Sequence, residues 1–107
     1  MAAPQPTPTV TLRGASGASY TFQVFPWGTA FKPLGAVYVV LKTATDGIIY
    51  IGQTSDLSER FDNHHKALCF GRYGRTHIGV LLENLESRRL ANETDLVRAY
   101  QPPCNGQ

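Results

Sequence analysis

Hydrophobic residues fall along this chain in short blocks with two different periods. Val10 and Leu12 alternate with polar neighbours, and so do Tyr20, Phe22 and Val24. Period-two alternation on both sides of the turn-rich GASGAS run predicts a β-hairpin over residues 9–25. Ala36 to Leu41 is a continuous apolar run, Ile48 to Ile51 is a second, and Asp46-Gly47 supplies turn chemistry between them. That arrangement predicts a central hairpin. The period then changes. Leu57, Phe61, His64 and Leu68 recur at helical spacing, with Ser55 or Asp56 as N-cap and Glu59 to complete a capping box. After the break at GRYG, Thr76 to Leu82 reads as a third strand, with Ile78, Val80 and Leu82 on one face. A final helix over about 85–100 carries Leu90, Leu96, Val97 and Tyr100 as its stripe and stops at Pro102-Pro103.

Polar residues interrupt these patterns at a few ordered places. His64 falls near the middle of the stripe that Leu57, Phe61 and Leu68 form, and Arg60 lies at its edge one turn earlier. Glu93 lies near the centre of the last helix's stripe, where a carboxylate is costly unless it is paired or bound to a metal. An ion pair with Arg89, one turn before it, is the purely structural explanation. Tyr38 and Tyr50 belong to the two central strands, and the loop between them decides where they point. An odd-numbered loop sets Val40 opposite Tyr50 and Lys42 opposite Ile48, and both tyrosines then share one sheet face. A two-residue Asp46-Gly47 loop puts them on opposite faces. Periodicity leaves both alternatives open.

Composition narrows the class. The chain has 107 residues and is 42% hydrophobic, which fits one globular domain. Pro4, Pro6 and Pro8 mark residues 1–8 as an extended, disordered tail that lacks the basic start and long apolar run of a secretory signal. No apolar run is long enough to span a bilayer. Cys69 and Cys104 show no pairing pattern and read as reduced thiols, so a cytoplasmic protein with no membrane role is expected. The net charge of +2 is a weak pointer to nucleic acid. Its distribution says more: Arg60, Lys66, Arg72 and Arg75 stand against Asp62 alone in segment 60–77. Such a surplus attracts phosphate, although it serves solubility equally well. Phe22, Phe25, Trp27 and Phe31 have the chemistry to stack on bases, but covering a sheet face is their more ordinary use.

The order Ala36-Val37-Tyr38, Tyr50-Ile51-Gly52, Arg60, His64, Glu93 and Asn105 resembles the GIY-YIG nuclease domain. The resemblance covers roughly residues 35–105. It departs from the family in its first motif, which is AVY here with Gly35 one place early. It implies an α+β fold, a small three-stranded antiparallel sheet flanked by helices, over residues 33–105, with residues 9–32 as an added β-hairpin of no assigned role. It also implies that both tyrosines face one site, which favours the odd loop. By the same resemblance Tyr38, Tyr50, Arg60, His64 and Glu93 are the catalytic set. Arg60 would face the phosphate, His64 would assist proton transfer, Glu93 would hold the metal, and Gly52 and Asn105 would support the site. Lys66, Arg72 and Arg75 are weaker candidates for nucleic-acid contact.

The residue types suit that chemistry on their own terms. Phosphodiester hydrolysis needs an activated water, stabilised phosphoryl oxygens and help for the leaving oxygen. One inward carboxylate suits one Mg²⁺ or Mn²⁺, which takes few protein ligands beside phosphate and water. Either Tyr38 or His64 fits the role of base. A chain with one such set and no internal repeat should cut one strand per site, DNA more than RNA. A homodimer, for which the edge of the 9–25 hairpin is a candidate interface, or a larger partner would then supply double-strand cutting or added affinity. The rival reading is a nucleic-acid-binding or protein-interaction module with the same fold and no catalysis. A ββα-metal nuclease, suggested by Asn63-His64-His65 after a hairpin, fails on the order of its ligands.

Overall fold

The computed structural model describes residues 8–59, 61 and 64–106. The alternating and apolar runs form five strands: β1 (Thr9–Arg13), β2 (Ser19–Pro26), β3 (Ala36–Lys42), β4 (Gly47–Thr54) and β5 (His77–Leu82). Among the described residues two α-helices, α1 (Ala67–Arg72) and α2 (Glu86–Tyr100), complete the α+β architecture. The strands make one antiparallel sheet in the order β1-β2-β5-β3-β4. The expected sheet of three strands is therefore corrected to five, because β2 pairs with β5 from Gln23↔Val80 to Pro26↔His77. With Ile78 and Val80 packed on one face and Leu81 on the other, β5 would present an apolar edge to water, and β2 covers it.

The continuous apolar run matches the interior place of β3, between β5 and β4, and its first six residues are buried. Val37, Val39 and Leu41 pack with Leu12, Phe22, Ile51 and Leu96 beneath α2. Ala36, Tyr38 and Val40 face the other way and pack with Ile49, Leu57, Phe70 and Cys104. The hairpin that precedes β3 is fastened to α2 by its turn. Asp95 accepts hydrogen bonds from the Ser16 N–H (2.8 Å), the Ser16 hydroxyl (2.7 Å) and the Tyr20 hydroxyl (2.8 Å). The Tyr100 hydroxyl accepts the Arg13 N–H at 3.0 Å.

The β3–β4 connection is neither of the two alternatives that parity allows. Lys42 pairs with Gly47, not Ile48, across a four-residue loop made of a 3₁₀ turn (Thr43–Thr45) and a left-handed Asp46. The register then slips between Val40 and Leu41, so that Val40 faces Tyr50 while Leu41 faces Ile48, and Ile49 is the extra residue. A bulge of this kind turns two consecutive side chains to one face. Ile49 and Tyr50 both join the Tyr38 side, whereas Ile48 and Ile51 join the α2 side.

The helix expected from Leu57 to Leu68 is corrected as well. Leu57 and Ser58 lie in a turn, where Asp56 accepts the Ser58 N–H at 2.8 Å, and the helix α1 begins only at Ala67. Leu57 is buried at the expected face, but Leu68 is 91% exposed. Helical spacing alone did not require a helix there, because a turn followed by a short helix delivers Leu57 and Phe70 to the same core.

The reading of Cys69 and Cys104 as reduced thiols is overturned: they form a disulfide with Cα atoms 5.9 Å apart. Their separation of 35 residues matches no local motif, and only the packing of α1 against the C-terminal loop brings them together. Paired in this way, they give no sign of a reducing compartment. Among the described residues no helix is long and apolar enough to cross a membrane.

Candidate active site

β3 and β4 carry the two tyrosines side by side, with ring centroids 6.1 Å apart. Their closeness depends on Gly52, which pairs with Tyr38 across the strands. A Cβ at Gly52 would lie 2.7 Å from Tyr38 Cζ, Tyr38 Oη and Tyr50 Cε2, so no residue but glycine leaves room for both rings. Phe61 meets the Tyr38 ring edge-on at 4.9 Å, and Phe70 packs on both Tyr50 and His64 at 5.2 Å.

His64 stands just before α1 and hydrogen-bonds through both ring nitrogens. Its Nδ1 accepts the Lys66 backbone N–H at 3.0 Å, which leaves the proton of the neutral ring on Nε2. Nε2 then donates to the Tyr38 hydroxyl oxygen at 2.8 Å. Tyr50 lies beside Tyr38, and their mutual influence holds the Tyr38 proton and eases loss of the Tyr50 one. His64 and Tyr38 thus form a hydrogen-bonded pair with Tyr50 against it. Burial, then the nearby Tyr50 and Glu93, push the Tyr38 phenol far above its ordinary value. Burial and Glu93 also raise Tyr50. Burial, with the positive charge of His65 and Lys66, lowers His64 below 6.5, so the ring is neutral at pH 7. His65 stacks on it with centroids 4.4 Å apart.

Glu93 comes from α2 to the free edge of β4. Burial raises its carboxyl above the ordinary value of 4.5, opposed by a hydrogen bond from the Gln53 backbone N–H. The expected partner Arg89 is engaged elsewhere. It is 5% exposed, and its guanidinium donates to the Gln53 side-chain oxygen (3.0 Å) and to the Glu83 and Asn84 carbonyls (3.0 and 2.8 Å). The same guanidinium explains Gly35: a Cβ there would lie 2.6 Å from Arg89 Nη1. Asn105 clips the next outward position of β4. Its side-chain oxygen accepts the Ile51 N–H and its amide donates to the Ile51 carbonyl, each at 2.8 Å.

A cleft of about 580 Å³ opens beside this group, lined by Tyr38, Gln53, Thr54, Asp56, Glu59, Phe61, His64 and His65. Of the residues expected at the site, Tyr38 and His64 line it. Tyr50 stands against Tyr38, and Glu93 is held by Gln53, a lining residue. Arg60 lies outside the described residues. Lys66 precedes α1, Arg72 is in its last turn, and Arg75 lies over the Trp27 ring at 4.7 Å. Gln53 was missed from sequence, and the buried Arg89 was expected only as an ion-pair partner of Glu93. The available signal was position: Gln53 follows Gly52 directly, and Arg89 sits one turn before an inward carboxylate.

Among the described residues no three His, Cys, Asp or Glu side chains converge into a closed metal cage. A single half-buried carboxylate beside an open cleft nevertheless fits a magnesium-type ion, which keeps most of its water and takes one or two protein carboxylates. The GIY-YIG catalytic domain model matches residues 34–100, more than half of the chain. No curated protein and no solved structure matches it significantly. The paired tyrosines over Gly52, and the length of chain that the family model covers, place this protein in the GIY-YIG family of nuclease domains.

Proposed function

We propose that the chain is a divalent-metal-dependent endonuclease that hydrolyses one phosphodiester bond per site, in DNA in preference to RNA. The observation that carries the reading is the His64–Tyr38 hydrogen bond with the Tyr50 ring packed beside it, close to the Glu93 carboxylate. Glu93 would hold one Mg²⁺ or Mn²⁺, and the bound ion supplies charge stabilisation for the phosphoryl and leaving oxygens. His64 is a positioning residue in this scheme. Its acceptor nitrogen is taken by the Lys66 N–H and its other nitrogen presents a proton to Tyr38, so it has no lone pair for water. Tyr38 is the group that touches the reacting water. Held protonated by burial, its hydroxyl oxygen accepts a hydrogen bond from the reacting water and orients it, and the water proton passes to solvent as the new bond to phosphorus forms and the leaving oxygen departs, so no free tyrosinate is needed. Arg60, by resemblance to the family, would face the phosphate. Lys66, Arg72 and Arg75 would add attraction for the strand.

Supercoiled plasmid tests this directly. With Mg²⁺ or Mn²⁺ nicked circles should accumulate before linear product, chelator should stop the reaction, and Glu93→Gln should be folded but inactive. Full activity in Glu93→Gln, or no cleavage of supercoiled plasmid or of single-stranded DNA with either metal, would sink the reading. A merely positioning His64 predicts a further split: His64→Asn lowers kcat and leaves KM nearly unchanged.

A further inference from the structure

Next to the cleft lies a second pocket of about 400 Å³, within the usual range of roughly 300–1,000 Å³ for sites that hold small molecules. One wall is Trp27, Gly28, Thr29, Ala30 and Phe31, the loop that follows β2. The facing wall includes Leu57, Ser58, Glu59 and Phe61. Glu59 and Phe61 line both the pocket and the cleft, so the two volumes share a partition. The first wall precedes residue 34, where the family match begins, and therefore belongs to this chain's own addition to the domain.

We propose that this pocket receives an unpaired nucleobase of the strand whose phosphate lies against Tyr38, so that the enzyme prefers single-stranded or extruded nucleotides over intact duplex. The inference rests on the nuclease reading for the identity of the strand. Trp27 and Phe61, with ring centroids 5.9 Å apart, offer aromatic surface on which any base can stack. The Arg75 guanidinium over the Trp27 ring brings positive charge to the place where flanking phosphates would pass. Glu59 offers only acceptor oxygens at the shared wall. It therefore suits bases with an exocyclic amino group, cytosine, adenine or guanine, over thymine. A base within a duplex is stacked on both faces and cannot enter, which makes the pocket selective for unpaired strand.

Trp27 is the only tryptophan in the chain, so its fluorescence reports on the pocket without reference to cleavage. A short oligodeoxycytidylate should quench it saturably, and an abasic strand of equal length should bind about tenfold more weakly without quenching, given the usual worth of one base–aromatic stack. Oligothymidylate should bind less well than oligodeoxycytidylate, and Glu59→Gln should remove that difference. Ala30→Leu fills the pocket from a loop outside the strands, so it should abolish the quench while circular dichroism and the thermal midpoint hold. Equal binding and equal quenching by the abasic strand would overturn the proposal. Metal-dependent nicking without any quench removes the pocket and leaves the nuclease; quenching without cleavage of plasmid or of single-stranded DNA does the reverse.

Discussion

Breaking the Cys69–Cys104 bond should cost this protein a large part of its stability. The bond closes a loop of 35 residues that contains β5 and α2. In the chain-entropy account of cross-links, a loop of that length restrains the unfolded chain by about 4 kcal/mol. For a chain of this size, unfolding entropy of roughly 2 cal/mol/K per residue converts that figure into a fall in Tm of roughly 15–20 °C. The bond has a local consequence too. Helix α1 spans only Ala67–Arg72, far too short to persist alone, and its Phe70 packs on both Tyr50 and His64. Thermal unfolding of the wild-type chain with and without dithiothreitol measures the effect. The double variant Cys69→Ala/Cys104→Ala should match the reduced wild type and should ignore the reductant. Two free thiols titrated in denaturant without reductant, or a midpoint unmoved by reduction, would refute the reasoning.

Gly52→Ala should cost roughly 1–3 kcal/mol by overpacking, since its Cβ meets two rings at 2.7 Å and Tyr38 is only 3% exposed. Activity should fall further than stability, because relief comes only by parting the tyrosines; a variant with wild-type nicking rates would contradict that geometry. The pH response of His64 follows from its lowered value. Above 6.5 the ring is neutral in both folded and unfolded chains and contributes nothing. As pH falls below 6.5 the unfolded chain binds the proton first, so stability drops until the folded-state value is passed. Protonation at Nδ1 also destroys the acceptor for the Lys66 N–H, so activity should fall over the same interval. Midpoints measured from pH 7.5 to 5 should show a steeper loss for wild type than for His64→Gln, and parallel curves would discount the group.

Elements marked by strong local patterns were legible in the sequence. Continuous apolar residues marked β3 and β4 as a hairpin, alternation gave β1, β2 and β5, and two prolines stopped α2. What escaped depends on relations that have no period. The bulge at Ile49 reverses the parity of the loop, yet nothing in Ile48-Ile49-Tyr50 distinguishes a bulge from regular pairing. The family resemblance reached the right face for the tyrosines where counting residues could not, although the odd loop it favoured is not the device used. The missing helix at Leu57 has a similar cause: apolar spacing records which side chains turn inward, not the backbone that turns them.

The places of Glu93 and Asn105 likewise depend on a distant strand. β4 is an edge strand, and its outward backbone groups need partners or water. Those partners come in succession from the end of the chain. The Cys104 N–H donates to the Ile49 carbonyl at 3.0 Å, the Asn105 side chain closes both groups of Ile51, and Glu93 accepts from the Gln53 N–H. The segment that protects the edge therefore also delivers a carboxylate beside the two tyrosines. Burial at that edge raises the Glu93 carboxyl, and a bound cation would lower it again by favouring the charged form. Edge protection and the setting of the proposed metal ligand are thus one arrangement, and Asn105→Ala, which frees Ile51 without touching Glu93, should weaken both. The measurement is amide hydrogen exchange at Ile51 alongside the metal concentration needed for half-maximal nicking. Faster exchange with an unchanged metal requirement would separate the two functions of the edge.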